Sequence, residues 1–310
     1  MAGRSLTGML TYLGSGPYCY SNSLAMALGE HAPPVGVIET LTGAPFGAQL
    51  IGGDTPFFDP YAWDPEIGLD AAIESLGWTC VRTSGGAPSE ALARLRAVDG
   101  PALAGPLDME LLTYSPEPGG DHYVMVLAVD GDTVLLHDPE GFPYATLPVE
   151  DFLKSWQAES VTYESEGFVL RTGFTRVREV PYMDALRGSL PGAARWLAGR
   201  DDLPVPPGTL GGAEAVHALA DLVESGLPPQ TRGLLTAFAI RVGVRRLSDA
   251  SACLGLLGLP ESAAVAGDQA RLLGAFQYPL TTGDDPAAAE ALRRLAPTYV
   301  TLHDKIQAHR

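Results

Sequence analysis

The stretch from residue 119 to 141, GGDHYVMVLAVDGDTVLLHDPEG, constrains the fold of this chain more than any other. It contains two apolar, β-branched runs, 123–129 and 133–138, which are separated by Asp-Gly-Asp. This pattern is typical of two antiparallel strands joined by a tight turn. The sequence therefore predicts a β-hairpin, with His122 at the start of the first strand and Asp138 at the end of the second.

The hairpin brings His122 and Asp138 to the same open end, where an imidazole and a carboxylate can share a hydrogen bond. Successive side chains of a strand point to opposite faces, so the register decides whether the two face each other. Because both positions are even, an odd-length loop or a bulge places both side chains on one face. A two-residue loop at Asp130–Gly131 without a bulge places them on opposite faces. A catalytic pairing therefore requires the odd loop or the bulge.

Cys19 lies in the stretch GSGPYCYSNSLAMALG, between a turn rich in Gly, Ser and Pro and an apolar helical segment at 20–28. This segment lacks a polar face, which predicts a buried helix. A thiol in the first turn of a helix lies at the positive end of the helix dipole, and this favours the thiolate. Free cysteine is also among the most buried residue types, so a packing role is the alternative.

The combination of Cys19, His122 and Asp138 favours the nucleophile. A thiolate attacks a carbonyl or thioester carbon, an imidazole takes and returns the proton, and a carboxylate orients the imidazole. We expect packing, turn or surface roles for the remaining candidates, which are Cys80, Cys253, Asp121, His31, His137, His217, His303 and His309. Because no CxxC pair or other metal-ligand spacing is present, we expect neither a metal nor another cofactor.

Strand signals are confined to the N-terminal part of the chain. Helices are predicted at 20–28, 34–42, 66–76 and 88–97, and strands at 78–83, 101–107, 123–129, 133–138 and 167–173. The later segments are all helical, at 182–198, 213–225, 231–248, 250–257, 261–276 and 286–307, with Pro and Gly between them. The sequence therefore predicts an α+β domain at residues 1–177, followed by an all-α domain at residues 178–310.

The formal net charge is −17, from 37 acidic and 20 basic residues. Such a surface repels nucleic acid and anionic membranes and attracts cationic small molecules. The three cysteines are widely spaced, which favours a reducing cytoplasm over a disulfide framework. The sequence shows neither a signal peptide nor an apolar run of ~20 residues, so we expect no membrane partner.

Four stretches resemble the BtrH family of acyltransferases, which is named after a butirosin biosynthesis protein. They are CYSNSLAMAL, PALAGPLDMELLTY, the hairpin and LPVEDFLKSW, and the resemblance covers residues 10–175. The order of a Cys at the start of a helix, then His and Asp on consecutive strands, also resembles the papain-like cysteine fold. The resemblance implies a papain-like catalytic domain followed by a helical domain.

The resemblance also implies an activity, namely amide-forming acyl transfer in bacterial secondary metabolism such as antibiotic biosynthesis. An acyl group would pass from an acyl carrier protein or another thioester to an amine-bearing small molecule. Cys19 would carry it as an acyl-Cys intermediate, with His122 as the base and Asp138 as the orienting carboxylate.

The oxyanion donor is the point at which the sequence departs from papain-like peptidases. These place a Gln shortly before the cysteine, at the position that Leu13 occupies here. Other side chains, or backbone N–H groups of the GSGPY turn and the helix, would have to replace it. The candidates for oxyanion or substrate contacts near the cysteine are Ser15, Tyr18 and Asn22. The family's Asp-x-x-x-Leu-x-Tyr pattern, which Asp108, Leu112 and Tyr114 match here, adds Asp108 and Tyr114 as candidates.

Two other functions are compatible with the same residues. One is a cysteine peptidase or amidase, in which water resolves the acyl-Cys, and the other is a non-catalytic binding scaffold. The acidic surface suits a cationic acceptor, whereas an acidic carrier protein would need a local basic patch. The candidates for such a patch are Arg241, Arg245, Arg246, Arg293 and Arg294. The alternative is that they belong to ordinary solvated helix faces. A homodimer is also compatible with the sequence.

Overall fold

The structure is a computed structural model that describes residues 17–115, 120–163 and 166–309. It is a mixed α+β structure with a C-terminal helical region, as the sequence predicts. The chain divides into two compact units. The first, here called the sheet unit, contains Met1–Val35 and Gly77–Arg178, and the second, the helical unit, contains Gly36–Leu76 and Glu179–Arg310.

Helices and strands are numbered in chain order. The helices are α1 (Cys19–Leu28), α2 (Val35–Leu41), α3 (Pro65–Ser75), α4 (Pro88–Arg96), α5 (Val149–Trp156), α6 (Tyr182–Leu197), α7 (Gly212–Ser225), α8 (Pro229–Leu234), α9 (Ile240–Leu256), α10 (Pro260–Thr282) and α11 (Asp285–Gln307). The strands are β1 (Gln49–Ile51), β2 (Thr55–Phe57), β3 (Trp78–Thr83), β4 (Ala102–Asp108), β5 (Asp121–Asp130), β6 (Thr133–Asp138), β7 (Phe142–Pro148), β8 (Leu170–Arg176) and β9 (Leu210–Gly211).

The sheet unit is built on a six-stranded antiparallel sheet with the order β3-β8-β4-β5-β6-β7. One face of its central strand β5 carries Val124 and Val126, which share a buried apolar cluster with Phe152 and Trp156 of α5. The other face carries Tyr123. Because side chains alternate along a strand, α1 and α5 cover opposite faces of β5.

The β5–β6 hairpin contains a bulge between its turn and its open end. The pair Asp130↔Thr133 closes a two-residue loop, and the register then shifts between Ala128↔Leu135 and Val126↔Leu136. Leu127 is the extra residue on β5. Beyond the bulge, even-numbered residues of β5 pair with even-numbered residues of β6, as in Val126↔Leu136. Paired residues share a face of the sheet, so His122 and Asp138 lie on the same face. The hairpin geometry that the sequence requires for a catalytic pairing is therefore present.

Helix α1 begins at Cys19 itself, one residue before the predicted start. Tyr18, just before it, has a left-handed backbone with φ of 90°, which is uncommon for a bulky residue. The helix packs on β5, where Ser23 donates its hydroxyl to the carbonyl of Tyr123 over 3.3 Å. Tyr20 contacts the Tyr123 ring edge to face, with 6.0 Å between the ring centroids. These contacts fix the direction in which α1 presents its first residue.

The helical unit combines α6 to α11 with the earlier segment 36–76. Long helices form its core, in which residues of α7, α9, α10 and α11 bury their apolar faces. The earlier segment adds the short strands β1 and β2, and β9 pairs with β1 to complete a three-stranded sheet. Apolar side chains of that segment, including Leu50 and Phe58, join the same core.

The sequence-based boundary at 177/178 lies one residue from the junction at 178/179, but the assignment of residues 36–76 to the N-terminal domain differs from the structure. A buried ion network explains why they belong to the helical unit. Arg246 of α9, only 5% exposed, donates to Glu39 over 2.8 Å and to Asp59 over 2.9 Å. These contacts join residues about 200 positions apart (207 and 187), so no local pattern could reveal them.

The same network bears on the choice between a basic patch and ordinary helix faces that the sequence left open. Arg246 cannot contribute to an exposed patch, because burial and two carboxylates occupy its guanidinium. Arg293 contacts Asp221 and Glu224, with its nearest oxygens at 3.1 and 2.6 Å. Paired cations of this kind present little net positive charge to a partner. Arg246 and Arg293 therefore do not support the patch that we considered from the sequence.

Several element bounds differ from the prediction. The predicted helices 231–248 and 250–257 form one continuous run with α8, through the π-helical turn Leu235–Ala239 into α9. Helix α10 continues to Thr282 rather than to 276, because Pro279 is tolerated near its end. The prediction also missed β7, which has prolines at its second and last positions. Helix α5 and the short strands β1, β2 and β9 were missed as well.

Candidate active site

His122 and Asp138 form a buried hydrogen-bonded pair at the open end of the hairpin. Nε2 of His122 lies 2.7 Å from Oδ1 of Asp138. His122 is 2% exposed and Asp138 is fully buried. The bulge at Leu127 provides this geometry, because it places the two side chains on one face of the sheet. Burial strengthens the interaction between the two groups, since little water screens it.

The Asp138 carboxylate is held by two further hydrogen bonds. The backbone N–H of Glu140 donates to Oδ1 over 2.8 Å, and the Tyr114 hydroxyl donates to Oδ2 over 2.9 Å. Burial alone raises the pKa of Asp138, but the His122 charge and these donors outweigh it, so the pKa of the carboxyl is lowered. Asp138 is therefore ionised at neutral pH. The pKa of Tyr114 is raised by burial and by Asp138, so its hydroxyl keeps the proton that it donates.

Cys19 contacts the other side of this pair. Its thiol lies close enough to the His122 imidazole and to the backbone N–H of Tyr123 for both groups to lower its pKa. Burial raises the pKa of Cys19, and the opposing effect of His122 does not fully offset it. Burial lowers the pKa of His122, but Asp138 outweighs burial and holds this pKa well above its usual value. Asp138 thus stabilises the imidazolium that His122 becomes when it carries the proton of the Cys19 thiol.

The candidates for oxyanion contacts have different outcomes. Asn22 donates its side-chain amide to the carbonyl of Tyr18 over 3.0 Å, so this group is used within the first helical turn. Tyr18 is buried and precedes the thiol in the left-handed conformation described above. Ser15 and Leu13 lie outside the described residues. The backbone N–H of Cys19 is the first of α1, where no carbonyl of the same helix can accept it.

The two candidates from the Asp-x-x-x-Leu-x-Tyr pattern make different contacts. Asp108 is buried, and its carboxylate accepts hydrogen bonds from the backbone N–H and the hydroxyl of Ser160. Its carbonyl accepts the Ser155 hydroxyl over 2.8 Å. Asp108 thereby fixes the end of α5 and the turn after it. Tyr114 instead contacts Asp138, a role that the sequence reading did not assign to it.

A second polar group near the thiol was missed from the sequence. Tyr163 donates its hydroxyl to Oδ2 of Asp121 over 2.7 Å, and its oxygen lies 3.2 Å from the Tyr123 hydroxyl. We interpreted Asp121 as a turn residue, but it is the first residue of β5. Its position next to His122 was the available signal. Nothing in the sequence around Tyr163 indicates this contact, because the two residues are 42 positions apart.

The remaining cysteines and histidines have other contacts. Cys253 is buried beside Thr40, whose hydroxyl lies 3.4 Å from its sulfur, and Cys80 is partly exposed on β3. His137 accepts the backbone N–H of Tyr144 over 3.1 Å. Within residues 17–115, 120–163 and 166–309, no group of three or more His, Cys, Asp or Glu could hold a metal ion. In the same residues, every helix is too short or too polar to cross a bilayer.

Comparison with known proteins gives two similarities. Residues 206–307 match the family described as YobF C-terminal domain. The chain is also 36% identical over 165 residues to the uncharacterized protein YobF of Bacillus subtilis (strain 168). That match covers 50% of this chain and 53% of the relative, so the chain spans about half the length of the curated relative that it matches. The name of the relative carries no activity that could be compared with the candidate site.

Proposed function

We propose that this chain is an amide-forming acyltransferase with a papain-like sheet unit, similar to the BtrH family. The observation that supports this most is the position of the Cys19 thiol beside His122, which is hydrogen-bonded to Asp138 over 2.7 Å. A nucleophile, a base and an orienting carboxylate in this order are what acyl transfer through a covalent intermediate requires. Two of the three groups are buried and rigidly held, which preorganises them.

The first half of the reaction forms the acyl-enzyme. His122 takes the thiol proton, and the Cys19 sulfur attacks the carbonyl carbon of a thioester donor. A bond forms between this carbon and Cys19, and the bond to the donor sulfur breaks. The imidazolium gives its proton to the departing thiolate. Asp138 stabilises the imidazolium during this step, since its carboxylate is ionised and only 2.7 Å away.

The second half transfers the acyl group to an amine. The neutral amine nitrogen attacks the acyl-Cys19 carbon, an amide bond forms, and the bond to the Cys19 sulfur breaks. His122 accepts the proton that the amine loses and returns one to the thiolate. The enzyme is then restored, and no other reactant is needed. Water in place of the amine gives hydrolysis by the same steps.

The oxyanion that forms in both halves needs hydrogen-bond donors. We assign one to the backbone N–H of Cys19, because it is the first N–H of α1 and lies at the positive end of the helix dipole. The left-handed Tyr18 supports this assignment, since strained backbone next to a nucleophile often sets the direction of such a group. The Asn22 amide is less suitable because it already binds the Tyr18 carbonyl.

The charge distribution bears on the substrates. A net charge of −17 favours a cationic amine acceptor. It disfavours an acidic carrier protein as the donor, and the burial of Arg246 removes a residue from the basic patch that such a donor would need. We therefore favour a small acyl thioester over a carrier protein. A cytoplasmic location fits this proposal, because a reducing compartment keeps Cys19 a thiol.

Intact-protein mass spectrometry after incubation with N-acetylcysteamine thioesters of varied acyl length tests the proposal. We expect one acyl adduct on the wild type and none on Cys19→Ala. The matched control is Cys80→Ala, since Cys80 is also a partly exposed cysteine outside any disulfide and its loss should leave the adduct intact. The absence of any Cys19-dependent adduct would favour the binding scaffold. If the acyl adduct is lost to water at the same rate with and without added amine, the peptidase or amidase is favoured.

A further inference from the structure

Asp121 is a carboxylate that the reaction above does not use, although it precedes His122 in the chain. It begins β5, at the same end of the strand as His122, and it is partly exposed. Tyr163 holds one of its oxygens through the 2.7 Å hydrogen bond to Oδ2. The other oxygen, Oδ1, has no hydrogen-bond or ion-pair partner in the part of the chain that the structure describes. Tyr163 therefore holds Oδ2 of Asp121, and Oδ1 can accept a hydrogen bond from a ligand.

The face of the sheet on which Asp121 lies is the face that carries α1. Asp121 and Tyr123 are two positions apart on one strand, so their side chains point the same way. The Tyr123 ring contacts Tyr20 of α1, and its hydroxyl lies 3.2 Å from that of Tyr163. Asp121 and Tyr163 thus lie on the face of the sheet on which α1 packs, and the Asp121 carboxylate is near enough to Cys19 for its charge to act on the thiol.

The charge of Asp121 acts against the nucleophile when nothing is bound to it. Burial is the main reason why the pKa of Cys19 is raised, and the negative charge of Asp121 raises it further. A positive charge bound to Asp121 would cancel this repulsion and make the thiolate easier to form. A cationic ligand at this point would therefore activate Cys19 as well as bind to it.

We propose that Asp121, held by Tyr163, binds an ammonium group of a cationic amine beside Cys19. An amine that attacks the acyl-enzyme must be neutral, so the bound ammonium belongs to a second nitrogen of the same molecule. The site therefore selects diamines or larger polyamines over amines with a single nitrogen. This identification of the acceptor rests on the proposed acyl transfer, whereas the binding of the cation does not.

Alkylation of Cys19 by the uncharged reagent iodoacetamide at pH 7 tests the binding directly. The probe is 1,4-diaminobutane, compared with sodium chloride at equal ionic strength. We expect a saturable rise of about 2- to 5-fold in the rate for the wild type, which is the range for a partly exposed charge pair. Asp121→Asn keeps an oxygen for Tyr163 but removes the charge. It should react faster than the wild type without diamine and show no rise with it.

Asp130→Asn is the matched control, because Asp130 is an exposed aspartate at the other end of β5 and should respond to diamine like the wild type. The proposal is wrong if diamine leaves the wild-type rate unchanged, or changes the rate of Asp121→Asn equally.

A second measurement compares 1,4-diaminobutane with 1-aminobutane as acceptors for preformed acyl-Cys19. A preference for the diamine that Asp121→Asn abolishes is expected, and equal use of both amines would contradict it. The alkylation result is independent of acyl transfer, so failure of the thioester experiment does not decide it.

Discussion

The Tyr114 hydroxyl donates a hydrogen bond to Oδ2 of Asp138 over 2.9 Å, on the carboxylate oxygen that His122 does not contact. The two oxygens of Asp138 are thus divided between the imidazole and the phenol. This arrangement fixes the plane of the carboxylate and, through it, the orientation of the His122 ring. Tyr114 is a positioning residue, since it acts on the candidate site through Asp138.

We expect Tyr114→Phe to reduce the rate of Cys19 acylation ~10-fold, because a hydrogen bond to a charged group contributes about 1.5 kcal/mol or more. Without this donor the pKa of Asp138 should rise, and the acid limb of the pH–rate profile should move to higher pH. Stopped-flow acylation by an N-acetylcysteamine thioester across pH 4–8 measures both effects. Tyr144→Phe is the control, because Tyr144 is an exposed tyrosine of β7. An unshifted acid limb in Tyr114→Phe would show that Tyr114 has only a packing role.

The His122 pKa predicts how stability depends on pH. A group whose pKa is higher in the folded protein stabilises it fully below the unfolded-state pKa, near 6.5 for His122. This contribution is lost as pH rises through the higher folded-state pKa. Cys19, whose pKa is also raised, acts with the same sign at higher pH. The free energy of unfolding should therefore fall between pH 6.5 and the alkaline range, as measured by urea denaturation.

The variant His122→Gln tests the origin of this pH dependence. It lacks the titrating imidazole, so its unfolding free energy should be less steep in the same pH range. His303→Gln is the control, because His303 is a partly exposed histidine of α11 and should keep the wild-type slope. Equal slopes for the wild type and His122→Gln would contradict the raised pKa of His122.

Arg246 is expected to be essential for the stability of the helical unit. Arg246→Ala leaves Glu39 and Asp59 buried without their cation, which should lower the free energy of unfolding by about 3–5 kcal/mol. The neighbouring Arg245→Ala removes a partly exposed cation 3.8 Å from Asp249 and should change stability by less than about 1 kcal/mol. Thermal unfolding of both variants measures the difference. Similar values for the two would mean that the buried network does not stabilise the unit.

The sequence revealed features that depend on neighbours in the chain. His122 and Asp138 could be paired because one hairpin connects them, and α1 could be found because its apolar residues are contiguous. The roles of Tyr114, Tyr163 and Arg246 were missed, because each depends on a contact between distant segments. The assignment of residues 36–76 failed for the same reason. Strand β7 was missed because its two prolines resemble a loop, although proline is tolerated on an edge strand.

The bulge at Leu127 has a consequence for how this chain can vary in length. The face on which Asp138 lies relative to His122 is set by the bulge, which lies between the turn and the open end of the hairpin. Loss or gain of one residue within a strand between the turn and the site, with the bulge unchanged, would turn one of the two side chains to the opposite face. Relatives that use the same pairing should therefore vary in length at the turn, or change a strand and its bulge together.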